Sequence, residues 1–206
     1  MDHGTQIKLF LTDGSATGFR YAELVNWTGW VFACPRILFT KLKEWPQMQR
    51  VGVYVLIGLN RKGENAVYIG ESENVLTRLL SHLSQSKSTL DDVVEAFFFT
   101  SKDDNLDKGH ITFLEQRLTK RAQETKQYAV EYGREPSAKA LAKMESAAME
   151  EFLENLYLVA AVLGRPPQIH TGLHLQEFEC RSVCRSRGRT SRTNIVASGR
   201  KDPARR

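Results

Sequence analysis

The hydrophobic positions fall into short β-type runs separated by longer helical stretches. Val51 to Gly58 (VGVYVLIG) is apolar and rich in β-branched residues, which predicts a strand. Asn60 to Asn65 is polar and reads as a hairpin loop, and Ala66 to Gly70 reads as the returning strand. Asn74 is a good helix cap, and Val75, Leu76, Leu79, Leu80 and Leu83 mark the apolar face of a helix reaching about Gln85. Val93 to Thr100 (VVEAFFFT) predicts a third strand, bulky enough to be central. A helix follows from about Leu106 to about Lys126, and Tyr132 to Pro136 breaks the chain. A last helix, Met144 to Leu163, carries Met149, Phe152, Leu153, Leu156, Val159 and Val162 as core contacts and ends before Gly164-Arg165-Pro166-Pro167.

The N-terminal stretch has a different grain. Ile7 to Thr12 reads as a strand, Asp13-Gly14 as a turn, Gly18 to Val25 as a strand paired with the first, and Val31 to Ala33 as a short strand ending at Pro35. Ile37, Leu38, Leu42 and Trp45 recur at helical spacing until Pro46. The pattern predicts an α/β (α+β) protein with a small three-stranded antiparallel sheet flanked by helices. It has four segments: a β-rich extension over 1–50, a core over 51–130, a C-terminal helical segment over 131–167 and a tail over 168–206.

Charge changes this picture in one place. The net charge of +5 is unevenly distributed. From Arg165 onward there are ten Lys/Arg against three Asp/Glu, leaving 19 basic and 21 acidic residues before it. A basic-protein argument for nucleic-acid binding therefore applies to the tail and not to the body. Cys180 to Arg206 is rich in Arg, Ser and Gly, with too few large apolar residues to offset its ordering entropy, so disorder is expected there. No apolar run is long enough to span a bilayer, and Met1 to Gln6 lacks a secretory layout. Three cysteines, Cys34, Cys180 and Cys184, make no disulfide framework, which points to a reducing cytoplasm.

The candidate chemistry lies on the hairpin. Gly52-Val53-Tyr54 on one strand and Tyr68-Ile69-Gly70 on the next set two tyrosines on neighbouring strands. The helix after them bears Arg78 and His82 one turn apart on one face. Glu115 sits on the following helix, in Phe113-Leu114-Glu115-Gln116-Arg117-Leu118. This order resembles the GIY-YIG nuclease superfamily, with GVY for the first motif and an intact YIG for the second. The spacing from Tyr68 to Arg78 and His82 is similar to that of its phage homing endonucleases. The stretches Leu11 to Gly14, Glu23 to Gly29 and Thr100 to Leu106 resemble a bacterial subgroup of the superfamily.

The resemblance implies a metal-dependent endonuclease acting on DNA. Glu115 would hold one Mg²⁺ (or Mn²⁺), and Arg78 would clamp the scissile phosphate. Tyr54 or Tyr68 would orient or deprotonate the attacking water, and His82 would shuttle a proton or donate to a phosphate oxygen. Gly52 and Gly70 would let the backbone pass close to the ligand. Two departures stand out. Glu71 follows the YIG where many members carry Lys or a small polar residue, and no asparagine follows Glu115 until Asn155. Lys102, Asn105 and His110 are candidates to fill that gap.

Plainer readings exist for each residue. The tyrosines suit a cross-strand aromatic pair, Glu115 a solvated helix position, and Trp27 and Trp30 core packing rather than base stacking. His170, His174, Cys180 and Cys184 have zinc-compatible spacing but no core around them. With an acidic body, DNA affinity would come from the tail, a protein partner or a structured lesion. Two rivals to the nuclease follow: a non-catalytic nucleic-acid-binding module on the same fold, and a protein-interaction adaptor docking through Phe152, Leu153 and Leu156.

Overall fold

The computed structural model describes residues 4–84, 90–131 and 141–164. The basic tail, the zinc-compatible His/Cys set and the break at Tyr132 to Pro136 lie outside the described residues. Seven strands form one sheet: β1 Ile7–Leu11, β2 Arg20–Leu24, β3 Gly29–Pro35, β4 Gly52–Leu59, β5 Asn65–Ser72, β6 Asp92–Ser101 and β7 Ala129–Glu131. Their order is β1-β2-β3-β6-β4-β5-β7. Neighbours are antiparallel except β5 and β7, which run parallel over Ala66 to Tyr68. The helices are α1 Val75–Ser84, α2 Lys108–Thr125 and α3 Lys143–Val162, with 3-10 helices at Arg36–Glu44 and Pro46–Gln49.

The expected three-stranded sheet, β5-β4-β6, is thus the middle of a larger one. β3 pairs with β6 along its whole length, from Gly29 opposite Ser101 to Pro35 opposite Glu95. The reason lies in β6, whose Phe97 and Phe99 fill one face and Phe98 the other, all buried. A strand covered on both faces also has two edges of backbone to satisfy. β4 takes one and β3 the other, so residues 7–35 belong to the same sheet as the hairpin.

Period-two alternation sorts the sheet into two cores. On one face Val53, Val55, Val67, Ile69, Phe97 and Phe99 pack under α2 (Ile111, Leu114, Leu118) and α3 (Leu153, Leu156, Val159). On the other, Phe32, Tyr54, Leu56, Tyr68 and Phe98 pack under α1 (Val75, Leu76, Leu79) and the 3-10 segment (Phe39, Leu42, Met48). Phe152, Leu153 and Leu156 are therefore core, and the proposed docking stripe of an adaptor is not available on the surface. The helix expected near Ile37 is 3-10. Its buried residues, Phe39 and Leu42, are three apart, matching three residues per turn, while Ile37 is 85% exposed. β7 was not expected, because three half-buried residues carry no readable alternation.

Arg20 ties β2 to β6 and to the end of α3. It is buried, its Nε and Nη2 donate to the Leu163 carbonyl at 3.0 and 2.8 Å, and its Nη1 donates to Gly18 O. It also pairs with Glu95 of β6 at 2.9 Å. One guanidinium thus satisfies the C-terminal carbonyl of α3 and joins β2, β6 and α3. Truncating it leaves Glu95 and that carbonyl without partners. Arg20→Ala is expected to lower stability by about 3 kcal/mol, read as a lower urea midpoint at unchanged m-value for one cooperative transition.

Candidate active site

Local sequence fixes where α1 begins. The Asn74 side chain accepts from Thr77 N–H at 2.9 Å, and Ser72 Oγ donates to Asn74 O, so the helix starts three residues after β5. Its apolar face seats Val75, Leu76 and Leu79 on the core. That rotation turns Arg78 and His82, one turn apart, toward the hairpin tyrosines.

The register Tyr54 opposite Gly70 places the Tyr54 phenol over Gly70. A Cβ at residue 70 would lie 2.5 Å from the Tyr54 hydroxyl and 3.0 Å from the Tyr68 ring, so glycine makes the space for the phenol. Gly52 does a comparable service for β6, since a Cβ there would strike the Phe99 carbonyl oxygen. Both glycines therefore serve packing of this chain against itself.

Tyr54 is fully buried and Tyr68 is 6% exposed. Arg78 Nε donates to the Tyr54 hydroxyl at 3.2 Å, and that hydroxyl lies 3.1 Å from His82 Nε2. The His82 ring lies edge-on to both phenols, 5.7 Å from Tyr54 and 5.2 Å from Tyr68. A guanidinium only donates, so the Tyr54 oxygen accepts from Arg78; where a neutral His82 accepts at Nε2, the Tyr54 hydroxyl is its donor. Burial and then the charge of Arg78 push the His82 pKa down to about 4, so the ring is neutral near pH 7. A neutral ring accepting at Nε2 carries its proton on Nδ1.

Burial, reinforced by Tyr68, raises the Tyr54 pKa well above its usual value despite Arg78. A buried phenol that holds its proton this firmly is not a general base at rest. The hydroxyl occupies Arg78 Nε and lies at His82 Nε2, and Arg78 also bonds the Tyr68 side chain; Arg78 is exposed and His82 half-exposed.

Glu115 reaches the same strand from the opposite face. It is half-buried on α2, with the Glu71 backbone N–H among its partners. Glu71, next to Gly70, points to the α2 side. Its Oε1 pairs with Lys108, while its buried Oε2 has no hydrogen-bond partner among the described residues. Burial and then the neighbouring Glu71 charge raise the Glu115 pKa to about 7. Among the described residues β7 pairs with β5 only from Ala66 to Tyr68, and Gly70 and Glu71 have no strand partner on that side. No hydrogen bond or ion pair among the described residues joins Glu115 to Tyr54, Arg78 or His82; the two groups flank β5 from opposite faces.

The three auxiliary candidates are committed elsewhere. Lys102 pairs with Glu23 at 2.7 Å and donates to Trp27 O. Asn105 Nδ2 donates to Asp103 Oδ2 at 2.7 Å within its own loop. His110 closes the capping box of α2, donating its N–H to Asp107 Oδ1 and accepting the Asp107 N–H at Nδ1. Trp27 packs on Phe152, and Trp30 Nε1 donates to Glu23, so neither ring forms a free stacking platform. The short pairing of β7 with β5 and the Glu71–Lys108 pair escaped sequence reasoning. The β-strand parity of Glu71, odd like Ile69, was the available signal that it faces α2.

Among the described residues there is no group of three or more His, Cys, Asp or Glu able to hold a metal, and no helix long and apolar enough to cross a membrane. No protein-family model, curated protein or solved structure matches the chain.

The carboxyl pair makes a measurable statement about charge. In metal-free protein Glu115 is expected to titrate near pH 7. Glu71→Gln removes the repelling carboxylate and is expected to move that titration downward, as followed by carboxyl ¹³C chemical shift. An unchanged value would mean that the two groups do not sense each other.

Proposed function

We propose that this chain is a metal-dependent endonuclease that hydrolyses phosphodiester bonds in DNA. The observation that carries the reading is the chain of hydrogen bonds from Arg78 through the buried Tyr54 hydroxyl to His82. A scissile phosphate needs donors aimed at its oxygens and held in place before it arrives. Arg78 supplies a planar fork with its Nη groups, and His82 supplies Nδ1–H. Tyr54 keeps both in register and is not consumed. Tyr68 flanks the same ring and completes the wall.

The donor set on the other face fits a hard divalent cation. Mg²⁺ is commonly held by one or two carboxylates, with water and substrate phosphate completing its shell. Glu115 and Glu71 would hold it, and the orphaned Glu71 Oε2 has a lone pair to offer. When bound, Mg²⁺ or Mn²⁺ would supply charge to the phosphoryl oxygens and acidify water. The cation competes with the Glu115 proton and with Lys108 for these oxygens, so its binding is expected to tighten as pH rises through about 7.

One observation favours the non-catalytic alternative. Lys108 already places an ammonium on Glu71, which is how a nucleic-acid-binding module without a metal would neutralise that carboxylate.

Cleavage of supercoiled, linear, branched and single-stranded DNA in Mg²⁺ or Mn²⁺ separates the two. Wild type is expected to cut, and Arg78→Ala and Glu115→Ala to reduce single-turnover cleavage by about 10²-fold or more while remaining folded. Folded wild-type protein that binds DNA and cuts none of these substrates with either metal would establish the alternative instead.

Gly70→Ala is a sharper probe of the positional role of Tyr54. Its added methyl is expected to displace the phenol and lower cleavage by about tenfold or more, with DNA affinity within about twofold of wild type. A fully active Gly70→Ala variant would show that the phenol's seat does not matter.

A further inference from the structure

Among the described residues β1 forms one edge of the sheet and is poorly protected. Natural edge strands are blunted by proline, bulges or inward charges. β1 pairs with β2 in unbroken register from Ile7 opposite Leu24 to Leu11 opposite Arg20, and its sequence IKLFL contains no proline and one charge. Leu9 is 47% exposed and Phe10 is 50% exposed, and successive strand residues point to opposite faces. Apolar side chains thus stand open on both sides of this edge.

The backbone parity of the strand is fixed by its ends. Val25 N–H bonds Gln6 O, and Thr12 N–H bonds Phe19 O. Even-numbered residues of β1 therefore turn their N–H and C=O groups toward β2, and Ile7, Leu9 and Leu11 turn theirs outward. The Leu11 carbonyl accepts from Gly14 N–H; the remaining outward groups have no partner among the described residues.

We propose that β1 pairs antiparallel with β1 of a second copy of this chain, about a twofold axis at Leu9. The segment is self-complementary about that residue. Leu9 faces Leu9 of the second copy as a hydrogen-bonded pair, and Ile7 faces Leu11 on either side, so outward donors meet outward acceptors. Lys8 falls opposite the Phe10 ring of the second copy, a cation–π arrangement, and the two lysines are kept apart. Each Lys8 also keeps its own Glu23, 3.7 Å away. The same patch serves on both copies, as a twofold interface requires. Only five residues pair, short against a standard interface of about 1,600 Å², so the dimer is expected to be weak, with a dissociation constant in the micromolar range.

Sedimentation velocity on the full-length chain, from about 1 to about 100 μM without DNA, tests this. The wild type is expected to pass from monomer to dimer across that range. Leu9→Glu places two carboxylates on the axis and is expected to weaken dimerisation at least about tenfold. Val94→Glu, at another exposed apolar position but on the interior strand β6, is expected to leave it unchanged. A monomer throughout the range would overturn the proposal. So would a dimer indifferent to Leu9→Glu, which would place the contact elsewhere, or equal losses in both variants.

Discussion

A phenol hydroxyl removed from water must find partners, and the middle of this protein is arranged around one such group. Unpaired, a buried hydroxyl costs about 1–3 kcal/mol. Tyr54 is fully enclosed between the sheet and α1, and Arg78 and His82 complete its hydrogen bonding. Three features depend on that arrangement. Residue 70 must be glycine to leave room for the ring. α1 must start at Asn74 so that positions 78 and 82 face the hairpin. His82 must stay neutral to accept at Nε2, which its burial beside Arg78 ensures.

The same arrangement gives the tyrosine a different role from the one that motif reasoning suggests. Without a metal, burial raises the Tyr54 pKa and the ring is closed to solvent. Its environment suits a fixed spacer between two donors. Burial and the neighbouring Glu71 charge raise the Glu115 pKa to about 7, on the other face of β5. The rest of the sheet supplies rigidity: β6 is braced on both sides by β3 and β4, and Arg20 ties β2 and β6 to the end of α3.

Much of this was legible in the residues. The hairpin, the central position of β6, the Asn74 cap and the span of α3 follow from local pattern, because alternation and capping act over a few residues. The width of the sheet was not legible. Pairing of β3 with β6 joins residues some seventy positions apart, and no local signal carries it. The 3-10 geometry after Pro35 was hidden because apolar spacings of three and four overlap in a nine-residue window. At the candidate site, helix periodicity put Arg78 and His82 on one face, and their proximity to Tyr54 was what the family resemblance implied. The partners of Lys102, Asn105 and His110, namely Glu23, Asp103 and Asp107, were not legible, since loop and cap geometry sets them.

The direction of the hydrogen-bond chain is the central claim, because it decides which nitrogen of His82 is left to face a phosphate. Imidazole ¹⁵N chemical shifts of His82, followed from pH 8 to pH 3.5, report it directly. The account predicts a neutral ring protonated on Nδ1 at pH 7, gaining its second proton only near pH 4. A ring protonated on Nε2 at pH 7, or one titrating at the ordinary value near 6.5, would contradict it and would leave Tyr54 directing its proton elsewhere.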